Sequence, residues 1–275
     1  MNYVDEILKS NLKRILKSGV STKGKKVRPK WLDGEPAHTV AVTSVMNIYD
    51  ISKGLPLTTL RRTNWKAAID EVLWIWQQRS NNVNDLNSRI WDSWADESGS
   101  IGKAYGYQLN KKFMLNGKEY NQVDYVLEQL KNHSVDRGII TQMFDHEDLS
   151  KMNLRPCVHS TQWLVYGDTL YLHVTQRSQD TVTANNWNVV QYGALLMMFA
   201  DVSGLKCGDL THSIVDMHIY DRHEEIAQAL IDTPTGELPT TTLAHRESFY
   251  DFTVDDFEVE DYAPDATKYK IEVAV

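Results

Sequence analysis

The segment from Trp187 to Ser203 constrains the fold more than any other part of the chain, because it is apolar on most of its faces. A helix on the surface of a globular protein carries one apolar stripe, whereas a helix that is apolar all round is buried. Gly204 follows at the position where glycine commonly ends a helix. The segment therefore predicts a central buried helix around which the other elements pack.

The rest of the chain carries helical and strand-like patterns that can surround such a helix. Apolar residues recur at helical spacing in residues 4–16, 64–79 and 122–131. Alternating or β-branched patterns predict strands in residues 39–49, 169–174 and 214–220, and two more strand-like runs in residues 252–275. We therefore expect helices and strands to share one core.

Length and composition bound the possible functions. The chain has 275 residues without a long linker, an internal repeat or a low-complexity run, which predicts one domain over residues 1–275. Its 42% apolar residues and 8 tryptophans suffice for a sizeable core. The net charge of −8 argues against nucleic acids and anionic membranes as main partners.

The sequence also predicts a location and a redox state. It has no secretory signal pattern and no run of about 18 apolar residues, so we expect a cytoplasmic protein without a membrane segment. In that compartment Cys157 and Cys207 are expected to be reduced thiols. His218 and His223 lack a clear third ligand, so we expect no metal site.

Cys157 stands just before a predicted hairpin and close in sequence to two arginines. A lone cysteine is more often a structural core residue than a nucleophile. Arg155 and Arg177 change that balance, because nearby positive charges stabilise a thiolate and lower its pKa. This context favours a thiol nucleophile beside an anionic ligand.

The residues around Cys157 also indicate which ligand that is. Arg177 and Ser178 can hold a phosphate, with Arg137 and Arg28 as further candidates. Asn188 offers both a donor and an acceptor, which suits the edge of a pyrimidine or an amide. A thiol that adds to an electron-poor ring is the most economical hypothesis.

Two other features of the sequence have open interpretations. Glu71 interrupts the apolar pattern of residues 64–79, and we expect it on the solvent side of that helix; facing inward, it would have a raised pKa and could transfer protons. Residues 90–94 read Ile-Trp-Asp-Ser-Trp, which indicates either two core tryptophans or a platform for a flat heterocycle.

Taken together, several motifs stand in a characteristic order along the chain. They are Pro156-Cys157, Gln176-Arg177-Ser178 with Asp180, Asn188, and Asp216-Met217-His218-Ile219-Tyr220, supported by Glu71, residues 90–94, Tyr105-Gly106 and the apolar C-terminus. In order and spacing they resemble the signature regions of the thymidylate synthase family, nearest to its Bacillus-type branch. The resemblance covers essentially the whole chain. It implies an α+β fold with a mixed β-sheet packed with helices, in a homodimer whose sheets lie back to back.

The resemblance further implies a methyltransferase that converts dUMP to dTMP. Its co-substrate would be 5,10-methylenetetrahydrofolate, the one-carbon and hydride donor, and it would use no metal. The Cys157 thiolate would add to C6 of dUMP while Asn188 reads the uracil. Glu71 would organise water and protons near O4, and Tyr105 would assist removal of the C5 proton.

The matching positions divide between the two ligands. The dUMP side would comprise Arg28, Arg137 from the other subunit, Gln176, Arg177, Ser178, Asp180, Asn188, and, at the sugar, His218 and Tyr220. The folate side would comprise Ile90, Trp91, Trp94, Leu154, Asp180, Ala184, Trp187 and Val275.

Some positions depart from the family pattern. Gly138 stands where a second arginine is usual, and Arg155 could compensate for this missing phosphate ligand. Asn185 and Asn186 place two amides where the family's folate loop is usually apolar. A more polar loop would admit water, which predicts as an alternative a dUMP hydroxymethylase of phage type, working in the host cytoplasm. A nucleotide-binding or RNA-binding relative without activity is a third alternative.

Overall fold

A computed structural model describes residues 1–274 of the chain, so the prediction for Val275 lies outside the described residues. The helices are α1 (Tyr3–Ser18), α2 (Trp65–Trp76), α3 (Gly106–Asn110), α4 (Gln122–Lys131), α5 (Asn185–Ser203) and α6 (Glu224–Asp232). The strands are β1 (Val20–Ser21), β2 (Thr39–Asp50), β3 (Phe113–Leu115), β4 (Lys118–Tyr120), β5 (Ile140–Gln142), β6 (Val158–Tyr166), β7 (Thr169–Asp180), β8 (Lys206–Tyr220), β9 (Thr240–Leu243) and β10 (Phe257–Glu260).

The main sheet is mixed and has six strands in the order β1-β2-β8-β7-β6-β5. Its strand pairs are antiparallel except for β7 and β8, which run parallel. A parallel pair needs a crossover connection, and α5 is that crossover. The predicted α+β fold with a mixed sheet is thereby confirmed.

Helix α5 occupies the position that its composition predicts. Nearly all of its residues from Val189 to Ala200 are fully buried, and the helix ends at Gly204, whose φ of 65° is left-handed. Helix α2 packs against it through Trp76, which contacts Phe199 of α5 and Trp163 of β6 edge to face at ring distances of 6.0 and 6.1 Å. Each such aromatic pair adds roughly 0.5–1.5 kcal/mol beyond its buried area. The core therefore ties α2, α5 and the sheet into one unit.

One interruption of the regular strand pairing lies at the level of Cys157. The β6–β7 register shifts between Val158 and Ser160, and Arg177 and Val215 drop out of the pairing between β7 and β8. Ser44 on β2 has a left-handed φ of 57° at the same level, opposite Val215. The backbone N–H of Arg177 instead donates to the carbonyl oxygen of Cys157 at 2.8 Å. The interruption thus brings Arg177 beside the predicted nucleophile.

Other predicted elements differ in their bounds. The strand expected over residues 214–220 is the second half of the 15-residue β8. The tail contributes one strand rather than two, because β10 pairs with β9 and residues 261–274 form no further strand. Within residues 1–274 we find no helix that is long and apolar enough to cross a membrane.

Candidate active site

Cys157 lies half-buried immediately before β6, where hydrogen bonds fix its backbone. Its N–H donates to the hydroxyl of Tyr105 at 3.0 Å, and its carbonyl oxygen accepts from the N–H of Arg177. The thiol itself is free, as is that of Cys207. Both polar groups of the Cys157 peptide are therefore satisfied, and its side chain is held in a defined place.

Arg177 lies beside the sulfur of Cys157 and is itself clamped. Its guanidinium donates to the carbonyl oxygens of Pro156 at 3.0 Å and Arg155 at 2.8 Å, and one nitrogen lies 3.8 Å from Sγ of Cys157. Arg155 takes part in this clamp through its backbone carbonyl oxygen, while its side chain is exposed; its role as a phosphate ligand stays a prediction.

The predicted low pKa of the Cys157 thiol is also corrected. Burial raises the pKa of Cys157 above its usual value, and the positive charges of Arg177 and Arg28 offset only part of that rise. Removal from water disfavours the thiolate more than two partly solvated guanidinium groups favour it. In the free protein the thiol is accordingly the dominant form at neutral pH.

Asn188 and Gln176 form a pair of amides near Cys157. Nε2 of Gln176 donates to Oδ1 of Asn188 at 3.1 Å and to the carbonyl oxygen of Ser178 at 2.9 Å. Nδ2 of Asn188 donates to Oε1 of Gln191 at 3.2 Å. One lone pair and one N–H of the Asn188 amide remain for a ligand, which is what the edge of a uracil requires.

Tyr105 links the nucleophile to the aromatic residues. It is almost fully buried, with its ring 5.1 Å from that of Trp91 in an edge-to-face contact. Its φ of 46° is uncommon for a bulky side chain and costs roughly 1–3 kcal/mol. Burial raises the pKa of its hydroxyl, so Tyr105 stays protonated at neutral pH. The strained backbone places that hydroxyl against the Cys157 peptide.

Glu71 faces the interior, which corrects the expectation that it lies on the solvent side of α2. Only 5% of its surface is exposed, and its Oε2 accepts from the indole N–H of Trp187 at 2.9 Å. Burial raises its pKa to about 7, although contacts from Gln191 and Trp187 offset part of the rise. Glu71 can therefore hold or release a proton near neutral pH, as an inward-facing carboxylate was predicted to do.

The predicted phosphate and sugar ligands lie on adjacent strands. Ser178 and Asp180 of β7 pair with Asp216 and His218 of β8, and His218 binds Asp216 through Nδ1 at 2.6 Å. The ring of Tyr220 lies 5.2 Å from that of His218. These groups line one end of the β7–β8 pair.

Arg28 belongs to the same region. Burial raises the pKa of the Tyr220 hydroxyl to about 12, and the positive charge of Arg28 offsets part of that rise. The same charge offsets part of the rise in the pKa of Cys157. The loop that carries Arg28 thus brings a positive charge to the nucleophile and to the sugar side.

The loop from Asp180 to Ala184 leads from this end of β7 into α5. Oδ1 of Asp180 accepts from the N–H groups of Val182 and Thr183 at 3.1 and 3.2 Å, and Arg61 donates to the carbonyl oxygens of the same two residues. Ala184 is the residue immediately before the helix. The loop is therefore held from both sides.

The predicted folate residues form a partly exposed apolar wall. Trp91, Trp94 and Leu154 pack on the main core, and the rings of Trp91 and Trp94 lie 5.7 Å apart. Trp187 joins them from the first turn of α5. Trp91 is buried, as the core interpretation of residues 90–94 predicts, whereas Trp94 stays half-exposed; the ligand platform stays a prediction.

Two of the predicted site residues stand apart in the single chain. Arg137 is exposed in the turn before β5, and its carbonyl oxygen accepts from Nε2 of Gln162 at 2.8 Å. Ile90 is 45% exposed. Their exposure distinguishes both side chains from the partly buried, hydrogen-bonded group around Cys157.

The premise that Asn185 and Asn186 make the site more polar is wrong. Both are fully buried at the start of α5, and Nδ2 of Asn186 donates to Oγ1 of Thr63 at 2.8 Å. Both residues are thus part of the interior, and the Asn186 amide joins the loop before α2 to α5. The reason for expecting extra water at the folate loop is thereby removed.

Three residues near the site were not predicted from the sequence. They are His212, which contacts Gln176, Gln191, which contacts Asn188, and Arg61, which holds the loop before α5. Polar residues at buried positions of β8 and α5 were the available signal for the first two. Among the 274 described residues, no cluster of histidine, cysteine or carboxylate side chains could hold a metal ion.

Comparison with known proteins agrees with this geometry. The thymidylate synthase family model matches residues 6–275. Thymidylate synthase 1 of Bacillus subtilis strain 168 and the thymidylate synthase of Bacillus phage phi3T are each 42% identical to the chain over 281 residues, covering both partners completely. The solved structure of thermostable thymidylate synthase A from Bacillus subtilis matches with a TM-score of 0.93 at 42% identity, over 98% of this chain and 99% of that one. The resemblance to the Bacillus-type branch is confirmed, and the chain belongs to the thymidylate synthase family.

Proposed function

We propose that this chain is a thymidylate synthase that converts dUMP to dTMP, acting as one catalytic domain over residues 1–275. The observation that carries the proposal is the connected group of Cys157, Arg177, Gln176 and Asn188 in a family member matched over its full length. In this proposal the group supplies a nucleophile, an anion clamp and a base-reading amide.

Cys157 is the nucleophile in this proposal. Its sulfur forms a bond to C6 of the uracil, and the electron pair of the C5–C6 double bond moves towards O4, which makes C5 nucleophilic. The thiol must lose its proton first, and burial opposes that loss. Arg177, 3.8 Å from the sulfur, stabilises the thiolate once it forms.

Glu71 and Tyr105 manage protons around the ring. A carboxyl with a pKa of about 7 exchanges a proton with water near O4 at little cost at neutral pH. Tyr105 keeps its own proton, so its hydroxyl orients the water that takes the proton from C5. The two residues act at neighbouring positions of the same ring, C4 and C5.

The nucleotide's polar groups have partners on the strands. Arg28, Arg177 and Ser178 bind the phosphate, for which guanidinium groups have suitable geometry. Gln176 positions Asn188, which reads N3–H and O4 of the uracil. His218 and Tyr220 bind the 3′-hydroxyl, with Asp216 orienting the imidazole of His218.

The co-substrate is 5,10-methylenetetrahydrofolate, which supplies the one-carbon unit and the hydride when bound. The wall of Trp91, Trp94, Leu154 and Trp187 fits a flat heterocycle, because these apolar side chains pack on the core yet are in part accessible. Ile90, Asp180, Ala184 and Val275 complete this side of the proposed site.

We further propose a homodimer in which Arg137 serves the other subunit's phosphate. The support is a row of side chains across the outer face of the sheet, formed by Ile140, Gln162, His173, Thr211 and Ile48 on five successive strands. Ile48 and Ile140 are 53% and 41% exposed, which is costly for a monomer. Arg137 is anchored on this same face by Gln162.

Subunit complementation tests the dimer. Cys157→Ala and Arg137→Ala variants are inactive or weak alone, but a mixture that exchanges subunits forms dimers with one intact site. Because half of the dimers are then mixed and half of their sites are intact, we expect about a quarter of wild-type activity. A mixture no more active than its parts contradicts a shared site.

Product analysis tests the reaction itself. The protein is incubated with dUMP and 5,10-methylenetetrahydrofolate, and both products are identified by mass spectrometry. dTMP together with dihydrofolate is the expected result. 5-Hydroxymethyl-dUMP together with tetrahydrofolate would instead establish the hydroxymethylase, and no product from either ligand would favour a relative without activity.

A further inference from the structure

His212 is a fully buried histidine in the middle of β8, with 2% of its surface exposed. It follows Leu210 and precedes Ile214 on the face of the strand that points into the core. Its Nε2 lies 2.7 Å from Oε1 of Gln176. A polar ring in this apolar layer therefore contacts the residue that holds the base-reading amide.

The orientation of the Gln176 amide follows from a neighbour that can only accept. The carbonyl oxygen of Ser178 lies 2.9 Å from one end of that amide, so this end is the NH₂ group. The other end, facing His212, is the oxygen. His212 must then donate from Nε2, which makes it the Nε2–H tautomer.

We propose that His212 is a positioning residue that determines the preference for dUMP over dCMP. Its N–H and the Ser178 carbonyl hold the Gln176 amide between them, and Gln176 in turn holds Asn188 in the orientation that reads uracil. This inference rests on the proposed function, since it concerns base selection at the same site.

The direction of the Asn188 amide separates the two bases. Its Oδ1 accepts from Gln176 and keeps one lone pair, which suits the N3–H of uracil, while its free N–H suits O4. Cytosine presents an acceptor at N3 and an amino group at C4, which match the reversed amide. A side chain that prevents reversal therefore excludes dCMP.

The environment of His212 makes it a rigid donor. Burial, reinforced by the charge of His173, lowers the pKa of its imidazole to about 3, so the ring stays neutral with a single N–H. Without that N–H, Oε1 of Gln176 would be buried and unpaired, and the amide would lose one of the contacts that hold it in place.

Turnover and binding of the two nucleotides test the proposal. kcat/KM and dissociation constants for dUMP and dCMP are measured for wild type and for the variants His212→Met, His212→Gln and Leu210→Met. Methionine fills the space without a donor, glutamine restores a donor near the position of Nε2, and Leu210→Met changes the same strand face without touching an amide.

We expect His212→Met to lower the preference for dUMP over dCMP about tenfold, the worth of one buried hydrogen bond. His212→Gln should recover most of the preference and Leu210→Met should keep it. A preference within about twofold of wild type in His212→Met overturns the proposal. If the wild-type protein makes no dTMP, the proposed function is overturned instead. The ratio of the dissociation constants for dUMP and dCMP still tests the role of His212 in that case.

The tautomer of wild-type His212 gives a test that requires no variant to fold. Its ¹⁵N NMR resonances should show a neutral ring protonated at Nε2. A ring protonated at Nδ1 would overturn the proposal, because Gln176 would then have no donor from this side.

Discussion

The two halves of the proposed site are built in different ways. On the nucleotide side, Ser178 and His218 lie on the adjacent strands β7 and β8, and Cys157 immediately precedes β6 and is joined to β7 by the hydrogen bond from the N–H of Arg177, so backbone hydrogen bonds set their spacing. On the folate side, Trp94 stands in a 3-10 turn (Asp92–Trp94) and Trp187 in the first turn of α5, and ring contacts rather than a ladder position them. The nucleotide half is therefore rigid by backbone construction, and the folate half depends on side-chain packing.

This difference predicts how each half responds to substitution. Changes on the strands should remove chemistry or base selection while leaving the fold intact, because the ladder does not depend on those side chains. Changes in the aromatic wall should alter the affinity for folate more than the chemistry. Glu71 joins the halves, since it lies on α2 and binds the indole of Trp187.

The largest effect is expected for Cys157→Ser. A serine hydroxyl is a far weaker nucleophile than a thiol, so kcat for dTMP formation should fall by at least about 10³-fold. dUMP binding should change little, because Arg177 is held by backbone carbonyl oxygens and remains in place. Retention of full activity would contradict both the synthase and the hydroxymethylase.

Glu71→Gln should reduce kcat about 10²-fold, because the amide cannot exchange protons at O4. It should also stabilise the fold at alkaline pH. An unfolded glutamate ionises near pH 4.5, whereas native Glu71 holds its proton to about pH 7, so wild type loses stability as pH rises through this interval. The loss amounts to at most about 3 kcal/mol.

Chemical denaturation at pH 5 and pH 8 measures this effect. The variant should exceed wild type in free energy of unfolding at pH 8 and match it near pH 5. Glu97→Gln, which alters an exposed carboxylate, is the control and should show no such difference. Equal stability of Glu71→Gln and wild type at pH 8 would contradict the burial argument.

The sequence predicted the central helix and the strands that carry the nucleotide half, and the reason is physical. Helix α5 and the strands around it follow from local apolar patterns, and Cys157, Arg177 and Asn188 stand close to one another along the chain. The sign of the Cys157 pKa shift did not follow, because burial is set by the packed core and outweighs the charge of Arg177.

Features that depend on distant parts of the chain were less predictable. Glu71 looked solvent-facing because nothing in α2 reveals that the Trp187 indole, 116 residues away, supplies a hydrogen bond. The buried amide of Asn186 looked like part of a polar loop because its partner Thr63 belongs to another segment. In each case a polar residue was buried because a remote partner satisfied it.

Trp187→Phe tests the link between the halves. It removes the N–H that stabilises ionised Glu71 and keeps an aromatic ring, so the pKa of Glu71 should rise above 7 by about one unit. The limb of the pH profile of kcat that reports the ionisation of Glu71 should shift to higher pH by about one unit. Trp65→Phe is the control: it removes an indole N–H from α2, the helix that carries Glu71, without touching Glu71, and it should leave the pH profile unchanged. An unshifted profile in Trp187→Phe would mean that Glu71 does not control this limb.

The smallest effect is expected for Trp94→Ala on the folate side. Trp94 is half-exposed and makes an edge contact with Trp91, so its removal takes away part of the wall without opening the core. The KM for the folate should rise about tenfold, the worth of one aromatic contact, while the dissociation constant of dUMP stays unchanged. An equal loss of dUMP affinity would show that the wall also supports the strands that bind the nucleotide. The two halves would then be one packed unit. That result would contradict the distinction between a nucleotide side positioned by backbone hydrogen bonds and a folate side positioned by side-chain packing.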